Sequence, residues 1–242
     1  MKKNTFLHFS LNNKLFYKVY LYYNIYIRNF KYLFKESYSQ VDEDIFLKNY
    51  FSKKKGFYID IGCYHPFRNN NTYLLYKEGW TGLNIDLNKI SIDLFNILRP
   101  RDLNICAAIS HKKELMNCYI PNNDPISPEI TISKNFSKKI SKRHGSSYKS
   151  YSIKSITWPD IEKKYKSKIK KKVDILKIDV EGLDYKILKS INLNKINPHL
   201  VMVEAPHFEK IETKKIANYL KRKRYKIIYN NTLNIIFKKN KL

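Results

Sequence analysis

Three aspartates in this 242-residue chain stand where short apolar runs give out: Asp60 in "GFYIDIG", Asp86 in "TGLNIDL" and Asp179 in "VDILKIDV". A carboxylate has only acceptor oxygens, so it suits a pair of neighbouring hydroxyls that must both donate, and it suits a cation. Asp86 follows Asp60 by 26 residues. An acid about 20 residues beyond a first glycine-bearing turn is placed to hold the hydroxyls of a ribose. The turn here reads "GCYHPFR"; Gly62 is its one glycine, and Pro66 removes a donor from it. A pyrophosphate cradle would need G-x-G-x-x-G, and a P-loop G-x-x-x-x-G-K-S/T; neither occurs.

For the three acids to meet, the runs that end in them must be neighbouring parallel strands. "SYSQVDEDIFLKNYF", 37–51, carries apolar residues at helical spacing, with Ser39 and Asp42 as candidate N-caps. "GFYIDIG" reads as a buried strand, "NTYLLYKEG" as a helix closed by Gly79, "TGLNIDL" as a second strand and "ISIDLFNIL" as a helix stopped before Pro100. "LNICAAIS" reads as a third strand and "ELMNCYI" as a short further one. Residues 121–150, rich in Pro, Ser, Asn and Lys, break the rhythm as a long insertion, either a lid or binding loop or a bare excursion. "YSIKSIT", "VDILKIDV" and "HLVMVEA" are then strands; "WPDIEKKYK", "LDYKILKSI" and "KKIANYLKRK" are helices. "YKIIYNNTLNIIF" closes the chain as two strands around Asn230 and Asn231, which tolerate the backbone of a tight turn.

This alternation predicts an α/β fold, a doubly wound parallel sheet with one antiparallel strand added last. No repeat or linker marks a second domain: residues 1–36 form a helical or irregular extension and 37–242 the domain. In such a sheet the ligand lies outside the carboxyl ends of the strands, where the three aspartates fall. With the phosphate cradle missing, a nucleoside ligand without phosphates remains. S-adenosylmethionine (SAM) meets that description, and its sulfonium and ammonium suit clustered carboxylates.

Lys and Arg number 47 against 21 Asp and Glu, a formal charge of +26. That balance attracts polyanions such as nucleic acid, anionic lipid or charged polysaccharide, unless it only reflects a composition rich in Lys, Asn, Ile and Tyr throughout. Cys63, Cys106 and Cys118 form neither a disulfide framework nor a zinc spacing, and no metal site is read from the sequence. No stretch reaches the roughly 20 apolar residues of a spanning helix. Phe6 to Leu11 is too short and too polar for a secretory core, so a cytoplasmic location is expected. "KLFYKVYLYYNIYIRNF" is aromatic and basic; it either packs on its own domain or lies on a membrane surface or partner.

"SQVDED", "GFYIDIGCYHP", "NNTYLLYKEGWTGLNID", "RPRD" and "LKIDVEGLDYKIL" together resemble the FkbM-type methyltransferases, in order and spacing, over residues 37–238. The resemblance implies a class I, Rossmann-like methyltransferase fold of seven strands with the last antiparallel. It implies SAM-dependent methylation, most often of a hydroxyl on a sugar, glycan or small natural product. By position, Asp60 and Gly62 match the first SAM motif and Asp86 the ribose-binding acid. Asn71 and Thr72 match the Asn-Thr pair that opens the next helix and holds the SAM carboxylate; Asn70 stands where the family usually has serine. Asp179, Glu181 and Gly182 match "DVEG", beside the transferring methyl. Asp179 and Glu181 are thus the catalytic candidates, with His65 and His207 in reserve as bases nearer neutrality. Cys63 takes the place of a small packing residue.

Two other readings use the same residues. An RNA methyltransferase would exploit the basic surface and "SKKISKRHGSSYK", although no RNA-recognition module is present. A catalytically silent binding protein on the same fold would bind SAM poorly. The sequence fixes neither the acceptor nor the oligomeric state.

Overall fold

The computed structural model describes residues 13–52, 54–122, 124–127, 130–132, 134, 137–138, 141–142, 145, 147–170, 172–180, 182–204 and 210–240. Its main sheet has seven strands: β1 (Phe57–Ile61), β2 (Thr81–Asp86), β3 (Leu103–Cys106), β7 (Ile175–Ile178), β8 (Leu200–Glu204), β9 (Tyr225–Asn230) and β10 (Asn234–Lys239). They lie in the order β3-β2-β1-β7-β8-β10-β9. The first five are parallel, and β10 runs antiparallel to both β8 and β9. The terminal hairpin therefore slots its second strand between β8 and β9, giving the antiparallel last strand expected.

Every residue of β1 is buried, as a central strand covered on both faces must be. The period of two sorts its side chains. Phe57, Ile59 and Ile61 join Leu83, Ile85, Leu176, Ile178, Val201 and Val203 in one core. That core is covered by α5 (Trp158–Lys164), α6 (Asp184–Ser190), α7 (Leu193–Ile196) and α8 (Lys210–Arg222). Tyr58, Ile175, Leu200 and Met202 face the other way, toward Leu47 and Phe51 of α2 (Glu43–Phe51) and Leu75 of α3 (Tyr73–Lys77). Fully burying one such aliphatic side chain contributes roughly 1.5–3 kcal/mol, so the two layers together fix the register.

On the second face the pattern changes toward the carboxyl ends. Asp60 is in register with Asn84 on one side and Lys177 on the other, a polar row laid across three buried strands. Two residues further on, back on the same face, the three strands lead into Asp86, Gly62 and Asp179. The polar row is the floor of the site, and the next row is its rim.

Other boundaries shift from the sequence expectation for local reasons. The helix expected over 37–51 begins only at Glu43, because residues 37–41 wrap two buried carboxylates instead. Asp44 accepts from the Ser37 and Ser39 hydroxyls (2.7 and 2.8 Å) and the Tyr38 N–H (2.7 Å), and Glu43 accepts from the Val41 N–H (3.1 Å). Asp42 holds the N-cap position at φ 59° with no side-chain capping bond. "LNICAAIS" is two strands: β3 stays in the main sheet, while β4 (Ala108–Ile109) joins a second, three-stranded sheet of order β4-β6-β5. Within the expected insertion, Pro121 and residues 148–150 belong to strands: β5 (Leu115–Pro121) pairs antiparallel with β6 (Tyr148–Ile156), as the two arms of a β5–β6 hairpin. Gly79 does close α3, at φ +90°.

The N-terminal extension is a helix, α1 (Lys14–Tyr23), continued by a π-turn at Asn24–Arg28 and a 3-10 turn at Phe30–Phe34. Its Leu21 and Ile25 are buried with Tyr38, Phe67, Leu74, Leu94 and Ile126. α4 (Lys89–Leu98) supplies that Leu94 and is capped by Asn88 Oδ1, which accepts from the Ile90 N–H (2.9 Å).

Candidate active site

A cleft opens over the carboxyl ends of β1, β2 and β7. Gly62, Asp86, Asn88, Asn71, Lys177 and Asp179 line its inner wall. Ser127, Ile130 and Thr131 of the β5–β6 hairpin face them, and Gln40, Glu204 and Asn234 close the far end. The space between these walls is about 1160 Å³, its solvent-open part included.

Gly62 cannot carry a side chain. Its φ is +80°, and a Cβ there would sit 1.7 Å from the Asp179 carbonyl oxygen. That approach turns the chain sharply out of β1, and Tyr64 follows in the left-handed region at φ 57°. The turn delivers the Tyr64 N–H to Asp86 Oδ2 (2.8 Å), while Asn88 N–H reaches Asp86 Oδ1 (2.8 Å). Each oxygen of Asp86 thus has one fixed backbone donor and keeps lone-pair capacity toward the cleft.

Burial pushes the Asp86 carboxyl up to about 7, the Asn88 N–H opposes that, and the charges of Asp60 and Asp179 add to it. A raised carboxyl favours the unliganded fold only when protonated. That contribution is full below the unfolded value of 3.8 and is lost as pH rises through about 7. A diol that donates to Asp86 needs the carboxylate. Binding of adenosine, an uncharged diol probe, is therefore expected to strengthen as pH rises through about 7 and to level off above it. In Asp86→Asn the profile should be flat. Titration calorimetry across that range checks it, and a wild-type profile as flat as the variant's defeats the assignment.

Asp60 and Thr72 take no part in the lining. Asp60 is fully buried, accepting from Lys177 Nζ (3.1 Å) and the Thr72 hydroxyl (3.1 Å). Thr72 is fully buried too, and its N–H is taken by Asn70 Oδ1 (3.0 Å). The helix this pair opens, α3, is only five residues long. Asn71 reaches the cleft wall because its two neighbours are anchored beneath it. Asn70, in the place of a serine, anchors them with its amide: Nδ2 donates to the Cys63 carbonyl (3.2 Å) and Oδ1 accepts from Arg99 Nη1 (3.2 Å).

Asp179 lines the cleft with its side chain about a third exposed, 3.3 Å from Lys177 Nζ. Glu181 and His207 lie outside the described residues. Asp184 accepts from the Val180 and Gly182 N–H groups (3.1 and 3.2 Å). Burial, then the Asp179 charge, pushes Asp184 up to about 6. His65 is removed from the reserve of bases. It is fully buried, accepts at Nδ1 from the Phe67 and Arg68 N–H groups, pairs at Nε2 with Asn24 Oδ1 (3.1 Å), and is driven down to about 3 by burial. Cys63 is buried against Ile92 and Phe95, a packing residue as expected.

Lys177 was missed in the sequence. Its Nζ joins Asp60, Asp179 and the Gly62 carbonyl (3.3 Å). Burial opposes its charge, but Asp60 and Asp179 outweigh that and raise its pKa. The signal was a lysine inside the otherwise apolar "ILKI", a residue type almost never buried without a partner. Arg99 and Asp102 of "RPRD" were quoted without a role; they form a wholly buried pair (2.9 Å) beneath the site.

The strand order and the antiparallel last strand are those of the class I methyltransferase fold. Residues 60–227, well over half of the chain, match the profile of the Methyltransferase FkbM domain, and the chain belongs to the FkbM methyltransferase family. No curated protein gives a significant match. Similar solved structures include PH1948 of Pyrococcus horikoshii, described as a candidate RNA methyltransferase. It has 9% identity and a TM-score of 0.43, with 82% of this chain and 83% of that one covered. The METTL16 methyltransferase domain gives 11% identity and a TM-score of 0.42, with 84% and 68% covered. Among the described residues, no helix is long and apolar enough to cross a membrane.

Proposed function

We propose that this chain is a SAM-dependent O-methyltransferase whose acceptor is a hydroxyl on a sugar, glycan or small natural product. One observation carries the reading. Asp86 lines the cleft at the end of β2, with each carboxylate oxygen oriented by one backbone donor, which leaves lone-pair capacity that suits a ribose diol. SAM bound there supplies a methyl carbon activated by its cationic sulfur.

The chain's own residues do the rest. Asp86 accepts both diol protons, the side-chain-free Gly62 turn lets the ligand lie against the backbone, and the Asn71 amide offers donors to its amino-acid end. Asp179 lies across the cleft from the hairpin wall, where an acceptor hydroxyl must shed its proton, and Lys177 positions it. Glu181 shares that role on the strength of the "DVEG" match. Asp60 and Thr72 serve the cofactor indirectly, by anchoring Lys177 and Asn71. Alignment of nucleophile and methyl carbon is the main source of rate, with the base adding to it. Gln40, Asn234, Ser127 and Thr131 bring amides and hydroxyls to the acceptor side, a set suited to a polyhydroxylated partner.

Asp179→Asn is expected to keep SAM affinity within about threefold and to lower turnover by roughly a hundredfold or more, the usual span of a lost general base. Calorimetry measures the first. Label transfer from methyl-labelled SAM to monosaccharides, glycans and RNA measures the second. No heat with SAM removes the cofactor reading, and transfer to RNA alone replaces the acceptor.

A further inference from the structure

Fourteen large apolar side chains are exposed among the described residues, and nine of them fall between Leu15 and Phe34. Leu15, Val19, Ile27, Phe30 and Phe34 each leave more than half their surface in water, and Tyr22 and Tyr26 nearly half. The opposite stripe, Leu21 and Ile25, is buried on the domain. The segment is therefore apolar on two faces, and among the described residues the fold covers one. A soluble helix buries one stripe and presents polar groups on the other, so a second apolar face of this size calls for a second cover.

Charge identifies that cover. Residues 1–35 contain Lys2, Lys3, Lys14, Lys18, Arg28, Lys31 and Lys35, and no Asp or Glu. Lys14, Lys18, Lys31 and Lys35 lie exposed along the described part of the segment. A second copy of the chain would bring these lysines face to face, which repels. RNA bases stack on aromatics but gain little from Leu15, Val19 and Ile27. An anionic lipid surface satisfies both sets at once: acyl chains take the aliphatic and aromatic groups, and headgroups take the lysines. We propose that the exposed face of residues 14–35 docks on an anionic membrane surface.

The face is joined to the cleft wall. Arg28 makes two bonds to Asp124 (2.8 and 3.2 Å), and Arg68 links the Asn29 side chain (3.3 Å) to the Ile126 carbonyl (3.1 Å). Docking thus fixes the hairpin wall relative to the surface. The proposal stands on this segment alone and does not depend on the cofactor or acceptor.

Vesicle co-sedimentation of the full chain tests it. Sedimentation is expected with equal parts phosphatidylcholine and phosphatidylglycerol, to fall with added salt, and to be absent with phosphatidylcholine alone. The combined variant Val19→Glu, Ile27→Glu, Phe34→Glu should keep its thermal midpoint, since these side chains already face water, and lose partition by roughly tenfold or more. Lys14→Glu with Lys18→Glu, which touches no apolar contact, should lose a similar factor. Equal binding to neutral vesicles, or undiminished binding by both variants, overturns the proposal. So does a dimer in light scattering, or a poly(U) shift, that the first variant abolishes while no vesicles bind.

Discussion

Asp86→Ala is expected to weaken SAM binding by roughly a hundredfold or more, because two hydrogen bonds to a charged acceptor are lost, each worth about 1.5–3 kcal/mol. The competing account makes Asp86 a mere turn brace, since Tyr64 and Asn88 N–H both point at it. The two accounts differ in the sign of the stability effect. As a brace, the carboxylate would be stabilising and alanine would lower the thermal midpoint. Burial and the neighbouring charges of Asp60 and Asp179 instead raise its pKa to about 7, which marks the carboxylate as costly to the empty fold. Asp86→Asn removes the charge but keeps only one of the two backbone contacts, since its amide nitrogen donates and faces the other N–H. Its midpoint should change little, relief of the buried charge offsetting the lost contact, while SAM binding still weakens. Calorimetry and thermal melts on the two variants are sufficient. Unchanged SAM affinity in Asp86→Ala, or a midpoint loss in Asp86→Asn with affinity intact, would make the residue structural and end the ribose assignment.

That an acid can cost stability where it serves a ligand also explains what was legible in the sequence. Asp60, Asp86 and Asp179 were visible because each interrupts an apolar run at a strand end, where sheet topology concentrates ligands. Gly62 was visible as a lone glycine, although the need for it, the Asp179 carbonyl 1.7 Å from its missing Cβ, is a contact across 117 residues. Periodicity could place Asp60 at the end of β1 but not say which row it occupied. It lies in the buried row with Asn84 and Lys177, two residues below the rim that Asp86 and Asp179 reach. The ion pair of Lys177 with Asp60 has the same long-range origin, since the two are distant in sequence and adjacent only through strand register. The late start of α2 was illegible for a local reason. Ser39 looks like a cap by residue type, yet its hydroxyl, with that of Ser37, is spent on the buried Asp44 carboxylate. β5 and β6 were legible as strands in "ELMNCYI" and "YSIKSIT", but their antiparallel pairing was not, because it joins segments far apart in sequence.

The largest stability effect is expected at Arg99, a residue the strand-end logic ignores. Its guanidinium is fully buried, bonded through Nε to Asp102 (2.9 Å) and through Nη2 to the Thr72 hydroxyl (3.1 Å) and Tyr58. Nη1 donates to the Pro66 carbonyl (3.3 Å) and Asn70 Oδ1 (3.2 Å). One side chain on the end of α4 thus ties β1, the 66–72 loop and, through Asp102, the Gly82 N–H (2.8 Å) and Asn84 amide (2.9 Å) of β2. Arg99→Ala leaves Asp102 as a buried charge without its cation, which costs about 3–5 kcal/mol against a typical total of about 5–15 kcal/mol. Arg99→Lys restores a point charge for Asp102 but not the fork that holds Asn70 and Thr72. That variant should fold with reduced stability and bind SAM more weakly, because Asn71 owes its place on the cleft wall to those neighbours. Asp102→Asn combined with Arg99→Met should be less damaging than Arg99→Ala alone, since removing both charges leaves none buried unpaired. Urea unfolding of the set gives the coupling directly. If Arg99→Ala unfolds within about 1 kcal/mol of wild type, the network does not brace the site, and the geometry of Asn71 must come from the packing of α3 alone.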